Sequence, residues 1–197
     1  MNNFTLISFL TSNIEIDLKI VEELVANCKS FTVQKGEFIL QEGEICKHSF
    51  FVENGLLRQY SIDDKGKEHI LQFAPENWFI SDRESTFFNL PSNYFIQALE
   101  NSTITQIDED FIIQLSQQNK SFVEFNNKLL HNHIRHLQKR INLLLSATAE
   151  ERYLAFIKIY PDILLRVPQT MVASYLGITP ESLSRIRKEL ATKNFKR

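Results

Sequence analysis

The chain has little with which to build a metal site or a disulfide framework. Its 197 residues include two cysteines, Cys28 and Cys46, far apart and in no CxxC pair. Neither a structural zinc site nor a disulfide-stapled fold is expected, and no cofactor. Two reduced, buried thiols suit a cytoplasmic protein. No apolar run approaches the ~20 residues that cross a bilayer. The N-terminal stretch MNNFTLISFL lacks the basic start of a secretory signal. A cytoplasmic location and no membrane partner are the expectation. Catalytic constellations are also sparse. A metal-dependent β-roll enzyme needs two histidines close together plus a carboxylate, and the first half offers only His48 and His69, far apart. No Ser–His–Asp arrangement or paired-carboxylate site stands out, so no enzymatic activity is expected.

Glycine is scarce, and its placement is informative. Four of the five glycines, Gly36, Gly43, Gly55 and Gly66, fall in the first third of the chain. There they punctuate short β-prone runs: Phe31–Val33, Phe38–Leu40, Ser49–Val52, Leu56–Ile62 and His69–Phe73. Further strands are expected at 94–99 and 102–107. Many short strands at close spacing predict a sandwich, barrel or jelly roll, which encloses room for a small ligand. Ahead of them, Ile16, Ile20, Val21, Leu24 and Val25 predict an amphipathic helix over 14–28.

The overall charge of −2 hides a split. Residues 1–118 carry 8 Lys+Arg against 18 Asp+Glu, residues 119–145 carry 5 against 1, and residues 146–197 carry 9 against 5. An acidic first part and a basic last part suggest different partners for each. From Arg185 to Arg197 there are six cations, Lys193, Lys196 and Arg197 among them, and one anion. Beside a nucleic-acid-binding motif such a run is expected to meet phosphates.

After a short helix near 111–117, a long one is expected over about 120–145. Leu130, Leu137 and Leu144 repeat every seven residues, interleaved with Ile134 and Ile141. That 3–4 pattern is a coiled-coil seam and predicts a homodimer. His131, His133 and His136 share this helix but lack a suitably placed third ligand for a metal. Thr148 with Glu151 marks the next helix start, and Pro161 its end.

The last stretch, VPQTMVASYLGITPESLSRIRKEL, reads as two helices joined by a tight turn. Val172, Ala173 and Leu176 give the first an apolar face, and Gly177 sits where the chain reverses. Thr179 caps the second helix and Pro180 takes its first position. Leu183, Ile186 and Leu190 form a buried stripe, leaving Glu181, Ser182, Ser184, Arg185 and Lys188 in front. A helix with a greasy back and a polar, cationic front suits a DNA major groove.

In its order of parts nearly the whole chain resembles the Crp/Fnr family of bacterial transcription regulators. The most specific stretches are KGEFILQEGEICKHSFFVENGLLRQY and AEERYLAFIKIYPDILLRVPQTMVASYLGITPESLSRIRKEL. The resemblance implies an α+β fold: an N-terminal β-roll (jelly-roll, cyclic-nucleotide-binding-domain-like), a long dimerisation helix, and a C-terminal helix-turn-helix domain with a short or absent wing. The expected parts are a sensor domain at 1–118 with its N-terminal helix, a dimerisation helix at 119–146 and a DNA-binding domain at 147–197. The implied partners are double-stranded DNA at a palindromic operator, a second copy of the chain, RNA polymerase and an unknown small-molecule effector. Glu181 and Arg185 would reach base edges, Thr179 and Ser182 would lie near phosphates. Pro180 departs from the cation that many members carry there.

The family's nucleotide-binding cassette uses a Gly-Glu pair and, about ten residues on, an Arg-Ser or Arg-Thr pair. Here the matching positions are Ser81-Asp82 and Ser92-Asn93. Asp82 is able to take a hydroxyl, but nothing at Ser92 pairs a phosphate charge. Arg83 and Arg58 are the substitute cations. The effector residues to inspect are Ser81, Asp82, Arg83, Ser92 and Asn93, with cyclic AMP not expected. The oxygen-sensing iron–sulfur type of the family needs a cysteine cluster, which these two cysteines do not make. Against the regulator stands a ligand- or partner-binding module without DNA function, and behind it the cupin-like enzyme.

Overall fold

A computed structural model describes residues 5–195. Of the terminal basic run, Lys196 and Arg197 lie outside the described residues. The chain divides into two compact units: Met1–Lys67 with Leu71–Leu130, and Glu68–Ile70 with His131–Arg197. The division falls inside the longest helix.

The first unit opens with α1 (Leu6–Asn13) and α2 (Leu18–Ala26). The periodicity over 14–28 had predicted one helix. Instead Ile14 is extended, and Asp17 caps α2 by accepting from Lys19 N at 2.9 Å. A carboxylate that satisfies a helix's free N–H groups starts a helix rather than continuing one. α1 has the same device, since Thr5 and Ser8 cap each other reciprocally. Leu6 and Leu10 of α1 and Val21 and Leu24 of α2 are buried in one cluster with Phe51 and Leu115.

Among the described residues eight strands follow: β1 (Ser30–Val33), β2 (Phe38–Leu40), β3 (Ser49–Asn54), β4 (Leu57–Ile62), β5 (Glu68–Ala74), β6 (Phe79–Ile80), β7 (Phe95–Ala98) and β8 (Ser102–Ile107). They form two four-stranded sheets, β1-β8-β3-β6 and β2-β7-β4-β5. Alternate residues point inward. Phe50 and Val52 of β3, Ile104 of β8, Leu57 of β4 and Ile96 and Ala98 of β7 share one core. This is the expected roll. At the β3–β4 turn, Gly55 has φ +95°, and a Cβ there would collide with Ser102. Two pieces between β5 and β7 were not foreseen: the two-residue β6 and the short helix α3 (Arg83–Phe88). α4 (Glu109–Gln118) ends the roll, capped by Asp108.

α5 (Lys120–Ser146) is 27 residues long, roughly 40 Å at 1.5 Å per residue. No helix among the described residues is long and apolar enough to cross a membrane. α6 (Ala149–Ile159) begins at a capping box in which Glu151 N donates to Thr148 Oγ1 and Thr148 N to Glu151 Oε2, at 3.2 and 2.8 Å. α7 (Ile163–Arg166), α8 (Gln169–Leu176) and α9 (Pro180–Phe195) complete the second unit. Its core is aromatic. Phe156, Tyr160 and Tyr175 meet pairwise, with ring centroids 5.2 to 5.7 Å apart. Leu183 and Ile186 of α9 are buried.

Candidate nucleic-acid interface

The turn between α8 and α9 is set by local chemistry. Gly177 adopts φ +64°, ψ +37°. Ile178 N donates to Ala173 O at 3.0 Å and Gly177 N to Ser174 O at 3.1 Å, which is the paired closure of a glycine-terminated helix. Thr179 then caps α9: its hydroxyl accepts from Ser182 N at 3.2 Å and donates to Ser182 Oγ at 3.2 Å. The hydroxyls of Thr179 and Ser182 are therefore bonded to the helix start.

With Leu183 and Ile186 facing the core, Glu181, Ser184, Arg185 and Lys188 turn outward and surround one open hollow with Pro180. Arg185 and Lys188 make no ion pair among the described residues. Glu181 is held below the usual carboxylate range by its own backbone N–H and the Thr179 hydroxyl, so it is ionised at neutral pH. Arg185 follows Glu181 by one turn. The front thus offers one fixed acceptor and two uncommitted cations.

Lys193 differs from Arg185 and Lys188 in having a partner. Expected with the phosphate-binding run, it pairs at the surface with Glu150 of α6, Nζ to Oε1 at 3.1 Å and Oε2 at 3.1 Å. At 100° per residue it lies well round the helix from Lys188, near the buried stripe. Leu190, expected in that stripe, is half-buried.

In the roll, the cassette residues are occupied by their own backbone. Asp82 is buried and caps α3, accepting from Glu84 N at 3.1 Å and Ser85 N at 3.2 Å. Its carboxylate closes a helix rather than waiting for a hydroxyl, and the Asp-Arg-Glu-Ser order was the signal for that cap. Ser92 is buried, its hydroxyl closed on Tyr94 N and O at 3.0 and 3.1 Å. The Ser81 carbonyl accepts from Gln59 at 3.3 Å. Arg83 and Asn93 are exposed. Arg58 fails as a substitute cation for a geometric reason. Leu57 and Ile96 face the core, so Arg58 and Gln97, paired across β4 and β7, face out. Arg58 donates to Gln97 Oε1 at 3.0 and 2.7 Å and stacks on Tyr60.

Cys46 donates to His48 O, and burial beside Asp108 pushes the Cys28 thiol up to about 11. No group of three metal-ligating side chains forms among the described residues. On α5, Ile134, Leu137, Ile141 and Leu144 are exposed at 42 to 57% and Leu130 is half-buried.

Residues 30–119 match the model of the cyclic nucleotide-binding domain. The chain is 26% identical over 183 residues to the fumarate and nitrate reduction regulatory protein of Vibrio cholerae, covering 87% of this chain and 72% of that one. It is 27% identical over 165 residues to the regulatory protein HlyX of Actinobacillus pleuropneumoniae, covering 78% and 68%. The solved structure of FixK2 from Bradyrhizobium japonicum superposes with a TM-score of 0.72 over 85% of this chain and 86% of that one, at 19% identity. In these matches the chain is similar to regulators of the Crp/Fnr family. Among these Crp/Fnr relatives the chain spans 60% of the length of the anaerobic regulatory protein of Pasteurella multocida, at 27% identity over 78% of its own residues. The names of these relatives are those of regulatory proteins.

Gly177 gives a direct test of the turn. A Cβ there would sit 3.4 Å from Leu144 Cδ2, which is ordinary contact, so the cost is conformational. Gly177→Ala should destabilise the protein by about 1–2 kcal/mol in urea unfolding, and Gly177→Asn by less, since asparagine tolerates this backbone. Equal stability of the alanine variant and the parent would show that the turn imposes no such demand.

Proposed function

We propose that this Crp/Fnr-family chain is a homodimeric, sequence-specific DNA-binding transcription regulator of the cytoplasm. Each copy presents α9 to the major groove of one half of a palindromic operator. The observation that carries the reading is the front of α9: Arg185 and Lys188, without an ion pair among the described residues, flank an ionised Glu181. A charged helix that served only for solubility would spend such groups on surface pairs, as Lys193 does with Glu150. Arg185 matches the O6 and N7 acceptors of guanine, Glu181 accepts from the cytosine amino group, and Lys188 meets phosphate. Thr179 and Ser182 act through the cap that orients them. The dimer rests on the exposed stripe of α5, with residues 1–118, 119–146 and 147–197 as sensor, dimerisation and DNA-binding parts. A DNA-bound regulator has RNA polymerase as its further partner.

The roll takes no cyclic AMP in this reading. A ligand shifts a two-state protein only through its different affinity for the two states. Asp82 and Ser92 are closed on their own backbone, Arg58 faces out, and a cyclic phosphate would pay desolvation without a cation to meet it. Any effector of the roll is therefore of another chemistry. Calorimetry should register no binding of cyclic AMP at millimolar concentration. A micromolar dissociation constant would overturn this and point to Arg83.

Arg185 separates readout from simple attraction. Arg185→Ala should cost ~1–3 kcal/mol on a specific site and relax the preference at one base pair per half-site, with little loss on scrambled DNA. Equal losses on the two DNAs would show that Arg185 touches phosphate and reads nothing. No selective DNA binding by the parent protein would favour a partner-binding module.

A further inference from the structure

We propose that the cavity between α5, α6 and α8 is a binding site for a small, neutral, apolar molecule the size of benzene or toluene. The cavity measures about 130 Å³ and lies wholly within the second unit. An apolar cavity of ~150 Å³ stays dry when empty and takes up benzene or xenon. Phe156, Tyr175 and Leu176 are buried in the wall, and Leu143, Ala155 and Ile159 are half-buried. The small side chain of Ala155 leaves the room.

The long polar side chains that line the cavity give it carbon rather than charge. Arg152 Nη1 donates to the Leu176 carbonyl at 2.8 Å, and Arg140 Nη2 donates to the Tyr175 carbonyl at 3.1 Å. Arg140 also stacks on the Tyr175 ring. With their charged ends held in this way, both arginines offer aliphatic stems. Lys139 is exposed, so its ammonium stays with water. No acidic side chain lines the cavity. His136 is neutral at pH 7, because burial and the neighbouring His133 and Arg140 hold its pKa below the usual imidazole value. Water is a poor occupant of such a space, since it needs two to four polar partners. An ion would lose its hydration without replacement. A hydrocarbon ring leaves water and gains close contacts, which favours it on both counts.

The cavity is also distinct from the pairing stripe of α5. At 100° per residue, Leu143 lies about 160° round the helix from Ile141 and about 120° from Leu137. Of the stripe, Leu144 alone lines the cavity, so a second copy seated on the stripe is not the occupant. Leu144 and Arg152 also border the α8–α9 turn. A Cβ on Gly177 would lie 3.4 Å from Leu144 Cδ2 and 3.5 Å from Arg152 Nη1. The site therefore adjoins the turn that carries α9.

The test uses the full chain and three probes of similar size: toluene, benzoate and benzylammonium. Binding is followed by NMR at the methyl groups of Leu143, Ile159 and Leu176, with those of Leu137 and Ile141 on the stripe as controls. Toluene should shift the three cavity methyls saturably, with half-saturation below about 2 mM, and leave the two control methyls in place. Benzoate and benzylammonium should each bind at least about tenfold more weakly. Ala155→Leu fills the cavity and should weaken toluene at least about tenfold, with the fold intact by circular dichroism. Leu143→Phe is the second filling variant, from another helix, and should act in the same direction by about threefold or more. The proposal falls if toluene gives no saturable shift at the cavity methyls, if the shifts centre on Leu137 and Ile141, or if either ion matches toluene. It falls equally if a folded filling variant binds toluene as well as the parent. No DNA enters the measurement, so its outcome is independent of whether α9 reads an operator.

Discussion

Burial of Leu183 and Ile186 is the constraint on which the second unit turns. The two residues are one helical turn apart, and Leu183 is fully enclosed. Burying that edge of α9 fixes the rotation of the whole helix about its axis. Glu181, Ser184, Arg185 and Lys188 then have one place to point. The start of α9 is fixed separately, by the Gly177 turn and the Thr179 cap. Rotation and start together set the register of the front to within a residue, which a helix that reads base edges requires.

The roll solves a different problem with the same physics. Its buried polar groups are satisfied inside the chain: Asp82 by two backbone N–H groups, Ser92 by Tyr94, Arg58 by Gln97. Asp82 and Ser92, at the cassette positions, are thereby closed on their own backbone. A cassette that closes on itself keeps the family's shape without its usual chemistry.

How much of this was legible in the sequence depended on how local the cause was. Gly177, Thr179 and Pro180 act within four residues of one another, and the turn they make was readable directly. So was the cap at Thr148, whose partner Glu151 is three residues on. The strands were legible because turn residues bracket each one. α1 was not foreseen, and the start of α2 was placed four residues early because Ile16 fits the apolar period while the capping carboxylate of Asp17 was overlooked. The cap at Asp82 was local too, but a family pattern drew attention to the ribose instead. Lys193 was illegible for a physical reason. Its partner Glu150 lies 43 residues away, and charge composition alone does not say which cation is neutralised across the fold. The outward side of Arg58 needed the register of β4 against β7, which no single strand contains.

The account stands or falls on whether two copies of α5 pair along Leu130, Ile134, Leu137, Ile141 and Leu144. Sedimentation of the parent and of the Ile134→Asp, Leu137→Asp double variant, followed by titration of each with an operator fragment, measures this directly. The parent should sediment as a dimer and bind cooperatively to two half-sites ~34 Å apart. The variant would bury unpaired charge at the seam at a cost of several kcal/mol. It should therefore sediment as a folded monomer and lose operator affinity together with the dimer. A double variant that remains dimeric, or a parent that binds its operator as a monomer, would contradict the account.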